Sequence, residues 1–539
     1  MSINTTLANK SSEMTNKLKP EIFKISDLVD AFKDGSLSIP EFQREYVWKP
    51  DKVGKLLDSL YRSLPISSLL VWESGDEDQV TYQTGQLRRA NKVKWLVDGQ
   101  QRITTLKKIK DGEIEVLFNP LFNPEEEKGL QFQRPSAAKD KDSRWHPVKE
   151  ILNDDDYGHD YSNDIRTAFK RLRETMIHYE IPVVVMKGHS LGEAIEAFSR
   201  VNKGGVQLSS ESIQSAYTAA THAGLIADKV LPFVRNLRTK GFDRLSAGHL
   251  FKACRFIANP DGRNKTGLHA MDKDTVREAW ERTEESTKQV IHFVETEFGL
   301  ADMKLQWSAN LLIPAIVLFD RWTREGTLTE TNEHELAGWL ALAAVHHRYS
   351  ASSETALQQD LSACKQDDPI KSLFKYVRGN RTTLKTNPKD FQGNIQDKGA
   401  LFAAYLACRH YGMFDFLSGV SEKQEVRLTI AEKIDKHHIM PRKYANRYAP
   451  GNPRRFDTIA NFAFIRTSTN RSIGSDDPSV YLPTISAQTR DSQCIPMEEE
   501  LYSLYKADRF GDVRRQMLSS AFNDYVNSKL LSARKQLFK

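Results

Sequence analysis

The segment Asp435-Lys436-His437-His438-Ile439-Met440-Pro441 constrains this chain more than any other part of it. Two adjacent imidazoles precede an Ile-Met-Pro turn. Pro441 cannot continue a strand's hydrogen-bond ladder, so the pair belongs near a strand end, where side chains face a cleft. Upstream, Arg427-Leu428-Thr429-Ile430 is a short β-prone stretch. Downstream, the apolar run Ile459-Ala460-Asn461-Phe462-Ala463-Phe464-Ile465 has strand length and reads as the second arm of a hairpin. The stretch from Thr469 to Gly474 then reads as a loop entering a short helix, with Asn470 near its start. Imidazoles and an amide in such a frame suit hydrolysis, which needs one group to take a proton from water and others to seat a cation. A lone His pair carries no such meaning. His346-His347 lies in an apolar helical run with no downstream pattern and reads as packing or surface.

Charge around the pair points to the substrate. Lys433, Lys436, Arg442, Lys443, Arg447, Arg454, Arg455, Arg466 and Arg471 crowd one stretch, opposed only by Asp435 and Asp457. The whole chain carries a net charge of only +6. A local excess of this kind attracts phosphate backbones regardless of sequence. Arg442, Lys443, Arg466 and Arg471 are the expected DNA contacts.

The His pair, the Pro turn and the spaced asparagines resemble an HNH nuclease motif of the ββα-metal fold. The resemblance implies that His438 is the general base and that Asn461 holds the motif together by bonding the base or its loop. It implies that His437 and Asn470 are the metal ligands. Many relatives carry Asp or Glu where His437 stands. Mg²⁺ or Mn²⁺ is the expected ion, and imidazole favours Mn²⁺, Ni²⁺ or Zn²⁺ over Mg²⁺.

A second constellation lies in the first third. Ile39-Pro40-Glu41-Phe42-Gln43-Arg44-Glu45-Tyr46-Val47-Trp48 precedes a helix that starts at Pro50 and carries Val53, Leu56, Leu57 and Leu60 on one face. Leu69 to Trp72 and Trp95 to Val97 read as strands, and the second runs into Asp98-Gly99-Gln100-Gln101-Arg102 at the start of another helix. A strand, a Gly turn and a helix start aim backbone N–H groups at an anion, and Arg102 adds a planar donor fork. Asp98 suits a metal ion or a ribose. After the strand Ile181 to Met186, a capping-box pattern at Ser190-Leu191-Gly192-Glu193 opens a helix. That helix ends in Phe198-x-Arg200-x-Asn202-x-Gly204-Gly205.

These three segments, in this order, resemble the ParB-like domain of the GmrSD family, modification-dependent restriction endonucleases of prokaryotes, and the HNH segment resembles that family's partner domain. The resemblance implies an α+β chain with a ParB-like α/β N-terminal domain, a helical middle and a C-terminal ββα-metal domain. It implies nucleotide binding at Asp98, Gln100, Gln101, Arg102, Arg200 and Asn202, and a sensor role for Gln43 and Arg44. The expected activity is a nucleotide-responsive, metal-dependent DNA endonuclease in anti-phage restriction, selective for modified DNA, with a nucleoside triphosphate as cofactor and NTPase activity. Modified phage DNA, nucleotide and a second copy of the chain are the expected partners. An HNH nickase without modification dependence and a non-catalytic ParB-like switch are the alternatives.

At 539 residues the chain has room for several cores. The expected domains are a disordered tail at 1–20, a sensor at 21–207, a helical domain at 208–377, a linker or seam at 378–397 and the nuclease at 398–539. Residues 497–539 read as one or two basic amphipathic helices. No apolar run approaches the ~20 residues that span a bilayer, and the polar N-terminus lacks a signal-peptide core. Cys254, Cys364, Cys408 and Cys494 are scattered, which fits a reducing cytoplasm and argues against a structural zinc.

Overall fold

The computed structural model describes residues 17–34, 36–38, 48–73, 80–83, 86–89, 94–123, 125, 129–139, 142–189, 191–202, 218, 222, 225–259, 267–300, 308–350, 353–416, 427–428, 434–444, 456–532 and 534–535. The expected sensor residues Gln43 and Arg44, with Phe42 and Tyr46, lie outside the described residues. So do Gly204, Gly205, Lys433, Arg447, Arg454 and Arg455. The chain divides into two compact units, Met1–Lys229 with Gly267–Ala270, and Val230–Thr266 with Met271–Lys539.

In the first unit, β-branched and aromatic runs make a five-stranded sheet. Its strands are β1 (Leu18–Lys24), β2 (Leu37–Ser38), β3 (Leu69–Glu73), β4 (Lys94–Asp98) and β5 (Glu180–Lys187), in spatial order β1-β5-β3-β4-β2. β5 runs parallel to β3 and antiparallel to β1. β3 and β4 are antiparallel, with a register shift between Leu70 and Val71. Helices α1 (Ile25–Asp34), α2 (Pro50–Tyr61), α3 (Gln100–Lys110) and α4 (Asn163–His178) supply the core on one face. There Ile181, Val183, Val185, Val71 and Leu96 meet Leu57, Ile103, Leu106 and Leu172. Trp72, Trp95, Val97 and Met186 form a smaller core on the other face with Ala194 of α5 (Leu191–Asn202). Trp48, expected beside the sensor residues, packs against the main core.

In the second unit, the expected helical middle includes α6 (Ala247–Ala258), α7 (Lys273–Phe298), α8 (Leu312–Glu325) and α9 (Glu330–Val345). Arg282 of α7 forks onto Asp320 of α8 through bonds of 2.8 and 2.6 Å. α10 (Lys398–His410) packs against α9, and the long C-terminal helix α12 (Ala507–Lys529) packs against both. The helical middle and the nuclease-like segment, expected as separate domains, thus share one unit. The polar stretch 378–397, expected as a linker or seam, is bound into it. Thr386 N donates to Asn523 Oδ1 of α12 at 2.9 Å, and Phe391 is buried against Phe522. Among the described residues, no helix is long and apolar enough to cross a membrane.

Candidate active site

The hairpin forms with β6 (Ile434–His438) antiparallel to β7 (Phe462–Arg466), and His438 pairs with Phe462 and His437 with Ala463. The first strand is therefore the histidine segment itself. Of the β-prone 427–430 stretch, Thr429 and Ile430 lie outside the described residues, and Arg427 makes an isolated bridge to Phe414. Ile459–Asn461 is a 3-10 turn, so the second strand starts three residues later than its apolar run. α11 (Thr467–Ile473) follows β7 directly and carries Asn470. Its first turn is capped from a distance. Buried Asp415 accepts from Arg466 N at 3.0 Å and from Thr469 Oγ1 at 2.5 Å, a negative charge at a helix N-terminus.

A two-stranded hairpin is marginal by itself, and side chains complete this one. Gln493 accepts from Phe464 N at 3.1 Å and donates to Phe464 O at 2.6 Å, standing in for a third strand. Fully buried Arg514 of α12 donates to the carbonyls of Ala460, Gln493 and Cys494 at 2.8, 2.9 and 3.1 Å. Asn461 braces the loop. It accepts from Met440 N at 2.7 Å and donates to Met440 O at 2.9 Å and Phe456 O at 2.8 Å.

His437 and His438 end β6, the first buried and the second partly exposed. The two ring nitrogens of His437 meet Tyr481 and Asn470. The Tyr481 hydroxyl lies 3.1 Å from Nε2 and 3.0 Å from Ile439 O, and Asn470 Oδ1 lies 2.9 Å from Nδ1. Burial lowers the imidazole to about 4, so it is neutral and one of its nitrogens carries a lone pair. The amide's orientation is set on its other side, where Asn470 Nδ2 donates to Asp435 Oδ2 at 3.3 Å. In the Nε2–H tautomer Nδ1 and Oδ1 are both acceptors, and donors 2.9 Å apart match neighbouring ligands on one ion with bonds of about 2.0–2.1 Å. Among the described residues, no group of three or more His, Cys, Asp or Glu is placed to hold a metal ion. An ion here would rest on one imidazole, one amide oxygen and oxygens of water or phosphate.

His438 is partly exposed, with Nε2 2.9 Å from Asp457 Oδ1 and its ring 4.7 Å from that of Phe462. Asp457, Tyr481 and Asp415 were not singled out in the sequence. Asp457 had stood only as an acid opposing the basic patch, and Tyr481 is 44 residues from the imidazole it orients. Of the expected DNA contacts, Arg442, Lys443 and Arg471 are exposed and Arg466 half-buried. Arg442 Nε also lies 3.7 Å from Asp457 Oδ2.

In the first unit, β4 runs through Gly99 into α3, the expected strand, turn and helix. Gly99 has φ +102°, and a Cβ there would stand 2.1 Å from Leu69 Cδ2, so the turn needs glycine for the chain's own packing. Arg102 is turned inward. Its guanidinium donates to Ile66 O, Ser67 O and Ser68 O at 2.6, 2.9 and 2.9 Å, and to Asp98 Oδ2 at 3.0 Å. Gln101 is buried and Gln100 half-buried. Arg200 is exposed and paired with Glu196. Asn202 ends α5.

Residues 25–218 match the family model for the GmrSD restriction endonuclease, N-terminal domain. The match takes in the 98–102 loop and α5 and covers just over a third of the chain. It points to a restriction endonuclease-type function, a hydrolase with DNA as substrate. An uncharacterized protein of Methanocaldococcus jannaschii is 20% identical over 529 residues, spanning 86% of this chain and 87% of its own length. The similarity therefore runs well beyond the GmrSD-like N-terminal part.

Proposed function

We propose that the chain is a metal-dependent DNA endonuclease of the HNH class, with its hydrolytic site in the hairpin and helix of residues 434–473. The observation that carries this reading is His437 Nδ1 set 2.9 Å from Asn470 Oδ1, one residue from a partly exposed His438. A divalent ion held by those two atoms would neutralise the charge developing on a phosphodiester. His438 takes the proton from the attacking water. Asn461 keeps the turn between the strands from collapsing onto the base. Arg442, Lys443 and Arg471 hold the phosphate backbone by charge, without reading sequence.

The N-terminal unit supplies selectivity in this reading, because a basic patch alone does not distinguish one DNA from another. The Asp98 to Arg102 loop, Arg200 and Asn202 respond to a nucleoside triphosphate, and Gln43 and Arg44 sense a modification. The inward Arg102 favours a second reading, a nickase that needs neither nucleotide nor modified DNA.

One experiment separates the two. Plain, phosphorothioate and glucosylated-hydroxymethylcytosine DNA are cut with and without nucleotide, in Mg²⁺ or Mn²⁺. The first reading expects cleavage of a modified DNA alone and only with nucleotide; equal cutting of all three leaves the nickase. Arg102→Ala is expected to lower the thermal midpoint whichever holds, since three carbonyls lose their donor. A change in nucleotide affinity without loss of stability would make Arg102 a ligand group.

A further inference from the structure

Among the described residues, the His438–Asp457 contact is a polar interaction that bracing the 456–461 loop does not require. The loop of residues 456–461 is already tied by Asn461 to Met440 and Phe456. Ile459 N also donates to Gly393 O at 2.9 Å, and Thr458 bridges Asn394. Asp457 adds one more bond, and it goes to an imidazole. Its Oδ1 lies 2.9 Å from His438 Nε2 while Oδ2 faces Arg442 Nε at 3.7 Å. An ionised carboxylate only accepts, so this contact places a proton on Nε2 and leaves Nδ1 bare. The Phe462 ring, 4.7 Å from the imidazole, limits rotation about the side chain. Tautomer and ring plane are then both fixed before substrate arrives.

We propose that Asp457 is the positioning residue of the general base, holding His438 as the Nε2–H tautomer so that Nδ1 is the atom that takes the proton from water. The proposal rests on the endonuclease reading. Asp457 touches neither substrate nor metal; it acts through the imidazole. When Nδ1 gains its proton the ring becomes a cation beside the carboxylate, which stabilises that charge where it forms. Arg442, exposed and 3.7 Å from the second carboxylate oxygen, adds a long charge contact on the side away from the ring.

The decisive variant is Asp457→Asn, which keeps size and hydrogen-bonding capacity. With the Arg442 donor on one side, the amide turns its oxygen there and its NH₂ toward His438. Nε2 then accepts, Nδ1 carries the proton and the base is blocked. We expect kcat to fall by ~10²–10⁴, as when such a carboxylate is replaced by an amide in a hydrolytic triad. KM and DNA affinity should not weaken, since the variant frees Arg442 from an opposing charge, and the thermal midpoint should be unchanged. The imidazole ¹⁵N resonances of His438 should show Nε2–H in the parent and Nδ1–H in the variant. Asp457→Ala should lose activity similarly and recover part of it with added formate, whereas His438→Ala should not recover.

Parent-level kcat in Asp457→Asn, or an Nδ1–H tautomer in the parent, overturns the proposal. So does activity lost only in step with thermal midpoint. Failure of the underlying reading looks different: His438→Ala then cuts like the parent. The ¹⁵N resonances report the tautomer whether or not the protein cuts.

Discussion

The second unit contains the same dipeptide twice, and the two copies differ in what their nitrogens meet. His346 and His437 are both inward-facing imidazoles lowered by burial, and His347 and His438 each approach a carboxylate. His346 Nε2 donates to Leu384 O at 3.0 Å, a partner that can only accept. His437 meets the Tyr481 hydroxyl at Nε2 and an amide oxygen at Nδ1. The carboxylates differ too. Asp397 caps α10, accepting from Ala400 N at 3.0 Å, so its hydrogen-bonding capacity is already engaged by the helix. Among the described residues, Asp457 meets the side chains of His438 and Arg442. The first pair is tied to a carbonyl and a helix cap. The second, in the proposed reading, offers a nitrogen and an amide oxygen to a cation.

The largest effect that tests this contrast is on chemistry. His438→Ala is expected to cut DNA ~10²–10⁴ times more slowly than the parent, with thermal midpoint and DNA affinity nearly unchanged. His347→Asn should leave the rate alone. Plasmid-nicking rates under single-turnover conditions check both, and comparable losses from the two would dissolve the distinction. Next in size is the metal. Chelation should abolish cutting, and Asn470→Ala should move the half-maximal Mn²⁺ concentration upward by about tenfold or more, since one of two protein donors is lost. Mn²⁺ should outperform Mg²⁺ because imidazole is a poor magnesium ligand. Asn461→Ala should act through stability instead. Three bonds to buried backbone disappear at a cost of about 2–4 kcal/mol, read as a lower thermal midpoint. That profile separates a loop brace from a base.

Much of this contrast was legible in sequence. The Pro turn placed the His pair at a strand end, and the apolar run of residues 459–465 announced the partner strand. The second imidazole pair read as structural because nothing downstream matched it. The helices from Ala247 to Val345 follow their apolar periodicity closely, and so does the strand–glycine–helix passage at Asp98 to Arg102. Long-range polar partners were not legible. Arg102 looked like an anion fork because guanidinium chemistry is the same whether it meets phosphate or carbonyls, and only the fold brings Ile66, Ser67 and Ser68 to it. Tyr481 and Asp415 carry no local signal, since a capping carboxylate 54 residues from its helix leaves no spacing pattern. The polar composition of residues 378–397 suggested a seam because the bonds from Thr386 to Asn523 and from Ile459 to Gly393 cannot be seen along the chain.

The smallest expected effect concerns the architectural pair. Asp397 holds the His347 imidazole above its ordinary value, with Nε2 3.5 Å from Oδ2. On Asp397 burial pushes upward, but His347 and the amides at the start of α10 outweigh it, so the carboxylate is charged across neutral pH. A histidine raised on folding contributes stability that is fully present below its unfolded value of about 6.5. That contribution is lost as pH rises through the raised folded value. The imidazole is half exposed, so solvent screening limits the gain to a few tenths of a kcal/mol. His347 also sits at φ +53°, so alanine would add backbone strain at every pH, and asparagine, which tolerates that conformation, is the better replacement. Thermal midpoints of the parent and His347→Asn, measured between pH 5.5 and 8.5, should differ most at the acid end and converge at the alkaline end. A difference that stays flat would mean that the ion pair adds nothing, and that His347 is held by its place after α9 alone.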